Sequence, residues 1–176
     1  MVAATRAVAI VATMQITGEV NLGGQPIDVR ISPDGSKMYV ANQVKNGGGI
    51  SIVDPATMTE TAFIPTGDGA HGLYPSRDGT NLYITNRKGG SVSVLSFATG
   101  QVRTTWAIPH GSPDMGGVSA DGRVLWLSGR YNNVVYAINP ADGHLHARLP
   151  VGGQPPRLYP WPPPPSRPRR PPAALR

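Results

Sequence analysis

Three Asp-Gly pairs recur at nearly equal intervals: Asp34-Gly35, Asp78-Gly79 and Asp121-Gly122, 44 and then 43 residues apart. Five residues after each Asp stands an aromatic inside an apolar run: Tyr39 in Met38-Tyr39-Val40, Tyr83 in Leu82-Tyr83-Ile84 and Trp126 in Leu125-Trp126-Leu127. A repeat of this length implies one supersecondary unit stacked on its neighbours, because a single unit cannot bury its own apolar face.

The middle unit shows what is repeated. His71-Gly72-Leu73-Tyr74 opens a short strand, Arg77-Asp78-Gly79 turns the chain, and Asn81-Leu82-Tyr83-Ile84-Thr85 returns as a second strand. Its aromatic and β-branched residues suit a pleated surface. Asn86-Arg87-Lys88-Gly89-Gly90 has loop chemistry. Ser91 to Leu95 alternates with period two and reads as a half-buried third strand, Ala98-Thr99-Gly100 turns again, and Gln101 to Pro109 supplies the fourth. Four antiparallel strands joined by tight turns make one propeller blade. With 22 Gly and 19 Pro and no helical period, helices are disfavoured throughout. The expected class is all-β: an incomplete β-propeller with blades at 26–66, 67–109 and 110–151.

Ser32-Pro33-Asp34-Gly35-x-x-x-Tyr39-Val40-Ala41-Asn42 resembles the repeat of the YVTN family of β-propellers. Tyr83-Ile84-Thr85-Asn86 is a second match and Trp126-Leu127-Ser128-Gly129 a degenerate third. Val53-Asp54-Pro55-Ala56-Thr57 and Ile138-Asn139-Pro140-Ala141-Asp142-Gly143 match the family's turn between third and fourth strands. The resemblance covers about residues 8–153 and implies a repeat scaffold shared by many functions, often extracytoplasmic or at the cell surface.

The ends break the pattern. Ala12-Thr13-Met14 recurs as Ala56-Thr57-Met58, so 1–25 reads as the outer half of a preceding blade. The apolar run Ala7 to Ala12 is too short for a membrane span and makes a poor signal peptide. At the other end, 152–176 reads as a disordered Pro/Arg-rich tail. Residues 154–176 hold ten of the 19 prolines and five arginines and no acid. Proline cannot donate to a ladder, which excludes a central strand there. The tail is either a true proline-rich arm, with Pro162 to Pro165 offering a polyproline ligand, or out-of-frame translation of a GC-rich gene. The second reading has the support that Gly152-Gly153-Gln154-Pro155 copies Gly23-Gly24-Gln25-Pro26 and the pattern then stops. An arc of this size reads as truncated, and its open edges predict self-association.

The net charge of +6 does not indicate nucleic acid, since the tail carries five of those charges and the repeats only one. The absence of Cys excludes disulfides, Cys-ligated metal and c-type haem attachment. Gly67-Asp68-Gly69-Ala70-His71-Gly72 matches G-x-G-x-x-G in letters, but no helix follows, so the dinucleotide reading fails. No G-x-S-x-G elbow, catalytic triad or paired-carboxylate site is evident, and no cofactor is expected. His144-x-His146 lacks a third ligand, so metal is not expected either.

Topology sorts the loops onto two faces. One carries the Asp-Gly turns; the other collects Asp68, His71, Arg87, Lys88, His110, Asp114, Arg130 and Tyr131. Aligned on the Asp-Gly turns, Ile27, His71 and Asp114 share one position at the start of the inner strand, and Gln43, Arg87 and Arg130 share another. His71, Arg87, Asp114 and Arg130 are therefore the candidate ligand-binding residues, suited to a carboxylate or phosphate, with His71 sensitive to pH. The blander reading puts His71 in a solvated loop and uses the arginines to cap loop carbonyls. The expected function is a non-enzymatic repeat protein binding a protein, peptide or small polar ligand through its loop face. The alternative is part of a propeller enzyme of the lactonase or quinoprotein-dehydrogenase kind.

Overall fold

The computed structural model describes residues 6–10 and 16–152. The expectations for Ala12 to Met14 and for the 154–176 tail fall outside those residues. The described residues form fourteen strands in four antiparallel sheets and contain no α-helix, only a short 3₁₀ turn at Lys45–Gly47.

The first sheet pairs β1 (Arg6–Ile10) with β2 (Ile16–Asn21). The second is β3 (Pro26–Ile31), β4 (Met38–Asn42), β5 (Gly49–Asp54) and β6 (Thr59–Pro65), in that order. The third is β7 (Ala70–Pro75), β8 (Asn81–Asn86), β9 (Ser91–Ser96) and β10 (Gln101–Ala107). The fourth is β11 (Pro113–Val118), β12 (Leu125–Gly129), β13 (Val134–Ile138) and β14 (Leu145–Pro150). Each four-stranded meander is one propeller blade, and they are called blades 1, 2 and 3 below.

The Asp-Gly pairs turn the chain between first and second strands by one repeated device. Gly35, Gly79 and Gly122 have φ of 77°, 71° and 75°, a region that L side chains rarely adopt. Their amides donate to the carbonyls of Ser32, Ser76 and Ser119. The same serines donate through Oγ to Asp34, Asp78 and Asp121 at 2.5, 2.6 and 2.6 Å. The unit is thus Ser-x-Asp-Gly rather than Asp-Gly alone.

Blades stack through apolar faces. Tyr39, Ile50 and Ile52 of blade 1 pack with Leu73, Leu82, Ile84 and Leu95 of blade 2. Tyr74, Tyr83, Val92 and Val94 of blade 2 pack with Leu125, Leu127, Tyr136 and Ile138 of blade 3. Val20 and Leu22 cover Val40 and Val53 on the other side of blade 1. They leave the alternate residues Ile27, Val29 and Ile31 of β3 between 41% and 49% exposed.

Candidate functional site

The loop that follows each second strand is tied to the link entering the same blade. The amides of Gln43, Arg87 and Arg130 donate to the carbonyls of Gln25, Gly69 and Ser112, each eighteen residues earlier. One hydrogen bond, three times repeated, places these residues at equivalent points on one face.

The inner strands add a second repeated feature. Each carries one extra residue relative to its partner: between Pro26 and Asp28, between Ala70 and Leu73, and between Pro113 and Gly116. Such a bulge re-aims side chains locally, and the residues inside it are Ile27, His71 with Gly72, and Asp114 with Met115. Hydroxyls take up the amides that the bulge frees. Gly72 N donates to Thr85 Oγ1 at 2.7 Å, and Met115 N donates to Ser128 Oγ at 3.2 Å.

Blade 2 then grips the Asp114 backbone. The Asp114 carbonyl accepts from Thr85 Oγ1 at 3.0 Å and from the Tyr74 hydroxyl at 3.3 Å. Tyr74 in turn accepts from Gly116 N at 2.8 Å. Burial pushes the Tyr74 phenol well above its ordinary range, so it remains a hydroxyl at any physiological pH.

These supports bring the four candidate residues together. His71 Nδ1 lies 2.9 Å from Asp114 Oδ1, and Arg87 Nη1 lies 3.4 Å from the same oxygen. Arg130 Nη1 stands 3.5 Å from Oδ2. The Asp114 side chain is fully buried, those of Arg87 and His71 nearly so, and that of Arg130 is 41% exposed. His71 thus sits in a bulged strand, not in a solvated loop, and the arginines turn toward a carboxylate rather than toward loop carbonyls. Asp114 faces His71 and the two guanidinium groups and not the solvent.

The cluster is short of hydrogen bonds despite its short distances. Asp114 Oδ2, Arg87 Nε and His71 Nδ1 are buried without a well-directed partner. The His71–Asp114 contact is short, at 2.9 Å, but poorly aligned for a hydrogen bond. Burial pushes the Asp114 carboxyl up, but His71, followed by Arg87 and Arg130, outweighs burial and holds it below the usual carboxylate value. With Asp114 ionised, two permanent guanidinium charges face one carboxylate, which leaves surplus positive charge.

Tyr131 joins the group from the loop after β12. Its ring lies 5.7 Å from the Arg87 guanidinium carbon, and 57% of the residue is exposed. Tyr74 and Thr85, which fix Asp114, are strand residues in the sequence, Thr85 inside the repeat motif Tyr83-Ile84-Thr85-Asn86, and nothing in the letters marks either as part of the site. Asp68 and His110 lie on the surrounding links, where the Asp68 carbonyl accepts from Gly89 N and the His110 carbonyl from Asn132 Nδ2. Away from this face, His144 and His146 stack edge to face at 5.5 Å. The described residues hold no group of three or more His, Cys, Asp or Glu arranged for a metal. No helix among them is long and apolar enough to cross a membrane.

No protein-family model matches the chain, and comparison with curated proteins finds no match. Among solved structures, virginiamycin B lyase from Staphylococcus aureus superposes with a TM-score of 0.71 at 17% identity, over 88% of this chain and 53% of that one. The fold is that of a β-propeller. Hydrazine synthase from Kuenenia stuttgartiensis, also a propeller protein, gives a TM-score of 0.64 at 24% identity, over 76% of this chain and 38% of its own. The chain therefore spans about half or less of the propeller proteins it resembles, and the likeness carries fold alone.

Proposed function

We propose that this chain is a YVTN-type propeller repeat protein whose loop face binds a small polar or anionic ligand, or an anionic group on a protein or peptide, without catalysing a reaction. The observation that carries this reading is the convergence of His71, Arg87 and Arg130 on the buried Asp114 carboxylate, within 2.9 to 3.5 Å. A fully buried carboxylate holds its partners in fixed directions. The excess of guanidinium charge over carboxylate then favours an oxyanion at the mouth. The YVTN assignment itself rests on the repeat motifs and on the Ser-x-Asp-Gly turns that recur in all three blades.

A second reading is an enzymatic one, in which the same face belongs to a larger propeller enzyme. Its support is that the two solved structures named above carry the names of a lyase and a synthase. The cluster offers that reading a His–Asp pair, His71 with Asp114, but no nucleophile in an evident role. The two readings differ in what a bound ligand becomes: it is recovered unchanged in the first and altered in the second.

The test is calorimetric titration of the chain with phosphate and with acetate, alongside the Arg87→Ala/Arg130→Ala double variant. The parent should bind at least one of these anions and the variant should lose at least tenfold in affinity. Equal binding by parent and variant would remove the site from this face.

A further inference from the structure

The unsatisfied atoms of the cluster say more about the ligand than its charge does. Asp114 Oδ2 is a buried acceptor that lacks a donor, and Arg87 Nε is a buried donor that lacks an acceptor. Buried polar groups are ordinarily paired, and leaving one unpaired costs free energy that a ligand can recover. An oxyanion alone answers only the second need. Placed near Asp114 Oδ2 it would meet another negative charge.

The missing donor is best supplied by an uncharged group. Two guanidinium charges already stand within 3.5 Å of the Asp114 carboxylate, so an added ammonium would meet like charge on two sides. A hydroxyl donates without that penalty. Access to Oδ2 depends on Arg130, which stands 3.5 Å from that oxygen without a hydrogen bond and is the most exposed of the four side chains. Its long, half-solvated stem can swing without disturbing a strand.

Resting on the binding function proposed above, we infer that the ligand is a small 2-hydroxy acid. Its hydroxyl donates to Asp114 Oδ2, and the adjacent carboxylate accepts from Arg87 Nε and from the displaced Arg130. The carboxylate and hydroxyl of such an acid stand on adjacent carbons, and the orphaned acceptor and donor belong to the Asp114 carboxylate and the Arg87 guanidinium, which meet at 3.4 Å through Oδ1 and Nη1. Sites built to hydrogen-bond a hydroxyl reject analogues that lack it far more sharply than apolar pockets reject size differences.

The experiment is a ligand-observed NMR competition on the full chain with lactate, propionate and alanine at matched ionic strength. These three differ at one atom: a hydroxyl, a hydrogen or an ammonium on the same carbon. The inference expects lactate to bind about tenfold or more tightly than propionate, the ratio that a hydrogen bond to a charged group supports. Alanine should bind more weakly than lactate. In Asp114→Asn the lactate advantage should collapse while unfolding stays cooperative. The ligand comparison on the unmodified chain decides even where that variant fails to fold. Equal affinity for lactate and propionate, or tighter binding of alanine, would overturn the hydroxy-acid assignment and leave the oxyanion site standing. Absence of binding by any of the three, even at high millimolar concentration, together with absence of phosphate binding, would overturn both.

Discussion

His71 Nδ1 approaches Asp114 Oδ1 to 2.9 Å across the seam between blades 2 and 3, although 43 residues separate them. Both stand in the bulge that opens their inner strand, so the same backbone irregularity repeated in adjacent blades aims one side chain at the other. The pair is a product of repetition: equivalent positions in successive blades lie side by side, and two different residues at that position become partners.

Asp114→Ala should therefore cost stability as well as binding. It leaves the Arg87 and Arg130 guanidinium groups without their counter-charge and His71 without its partner, and breaking a buried ion pair from one side costs about 3 kcal/mol or more. Denaturant unfolding should show a lower midpoint with an unchanged slope. Arg130→Ala, at the exposed end of the cluster, should cost under about 1 kcal/mol.

Gly72→Ala tests the scaffold beneath the pair. A Cβ at Gly72 would lie 2.2 Å from the Tyr74 hydroxyl oxygen, which holds both the Asp114 carbonyl and Gly116 N. Relief requires the Tyr74 ring to move within a packed seam, at about 1–3 kcal/mol. Thermal unfolding should register the loss, and binding of any loop-face ligand should weaken with it. An unchanged midpoint would mean that Tyr74 does not anchor Asp114.

Acid should weaken the fold only at low pH. Asp34 is held at about 2 by the Ser32 side chain, then the Ser36 amide and hydroxyl. Asp78 is held low chiefly by Ser76 and Thr80, and Asp121 chiefly by Ser119 and the Arg123 amide. Because the folded values lie below the unfolded ones, the stabilisation is complete above about pH 4 and is lost as pH falls toward 2. Asp114 adds to the same trend. A chain with Ser32, Ser76 and Ser119 changed to Ala should be less stable than the parent at neutral pH and should lose less of its stability as pH falls from about 4 toward 2, because its aspartates no longer titrate so far below their unfolded values. Monitoring circular dichroism during acid titration of both would show it.

Much of this was legible in the residues. The period placed the turns at Gly35, Gly79 and Gly122, and the alternation in Ser91 to Leu95 marked a third strand, Ser91–Ser96, which packing between blades buries on both faces rather than one. Alignment on the turns also put His71 level with Asp114 and Arg87 level with Arg130, because blades repeat with nearly constant length. What sequence could not supply was the depth of the site. A bulge has no signature in the letters His-Gly or Asp-Met, so the burial of Asp114 and its contacts with His71, Arg87 and Arg130 emerged only from the fold. Tyr74 escaped notice for a similar reason: its hydroxyl acts on another blade, on residues about 40 positions away.

The open side of blade 1 makes a separate prediction about assembly. Ile27, Val29 and Ile31 line one face of β3 and are about half exposed, while the equivalent β7 residue Leu73 is fully buried. We propose that the chain self-associates through this face and the neighbouring β1 edge. Light scattering should show mass rising with concentration, and Val29→Lys/Ile31→Lys should reduce the effect. A parent that stays monomeric at high concentration would contradict the proposal.

The central claim is that one loop face, built around Asp114, is where ligand binds. Backbone amide shifts recorded by NMR during titration with lactate or phosphate test it most directly. The account predicts saturable shifts at Gly72, Arg87, Met115 and Arg130, with Gly35, Gly79 and Gly122 on the opposite face unmoved. Shifts centred on the Asp-Gly turns, or no saturable shift anywhere, would contradict it.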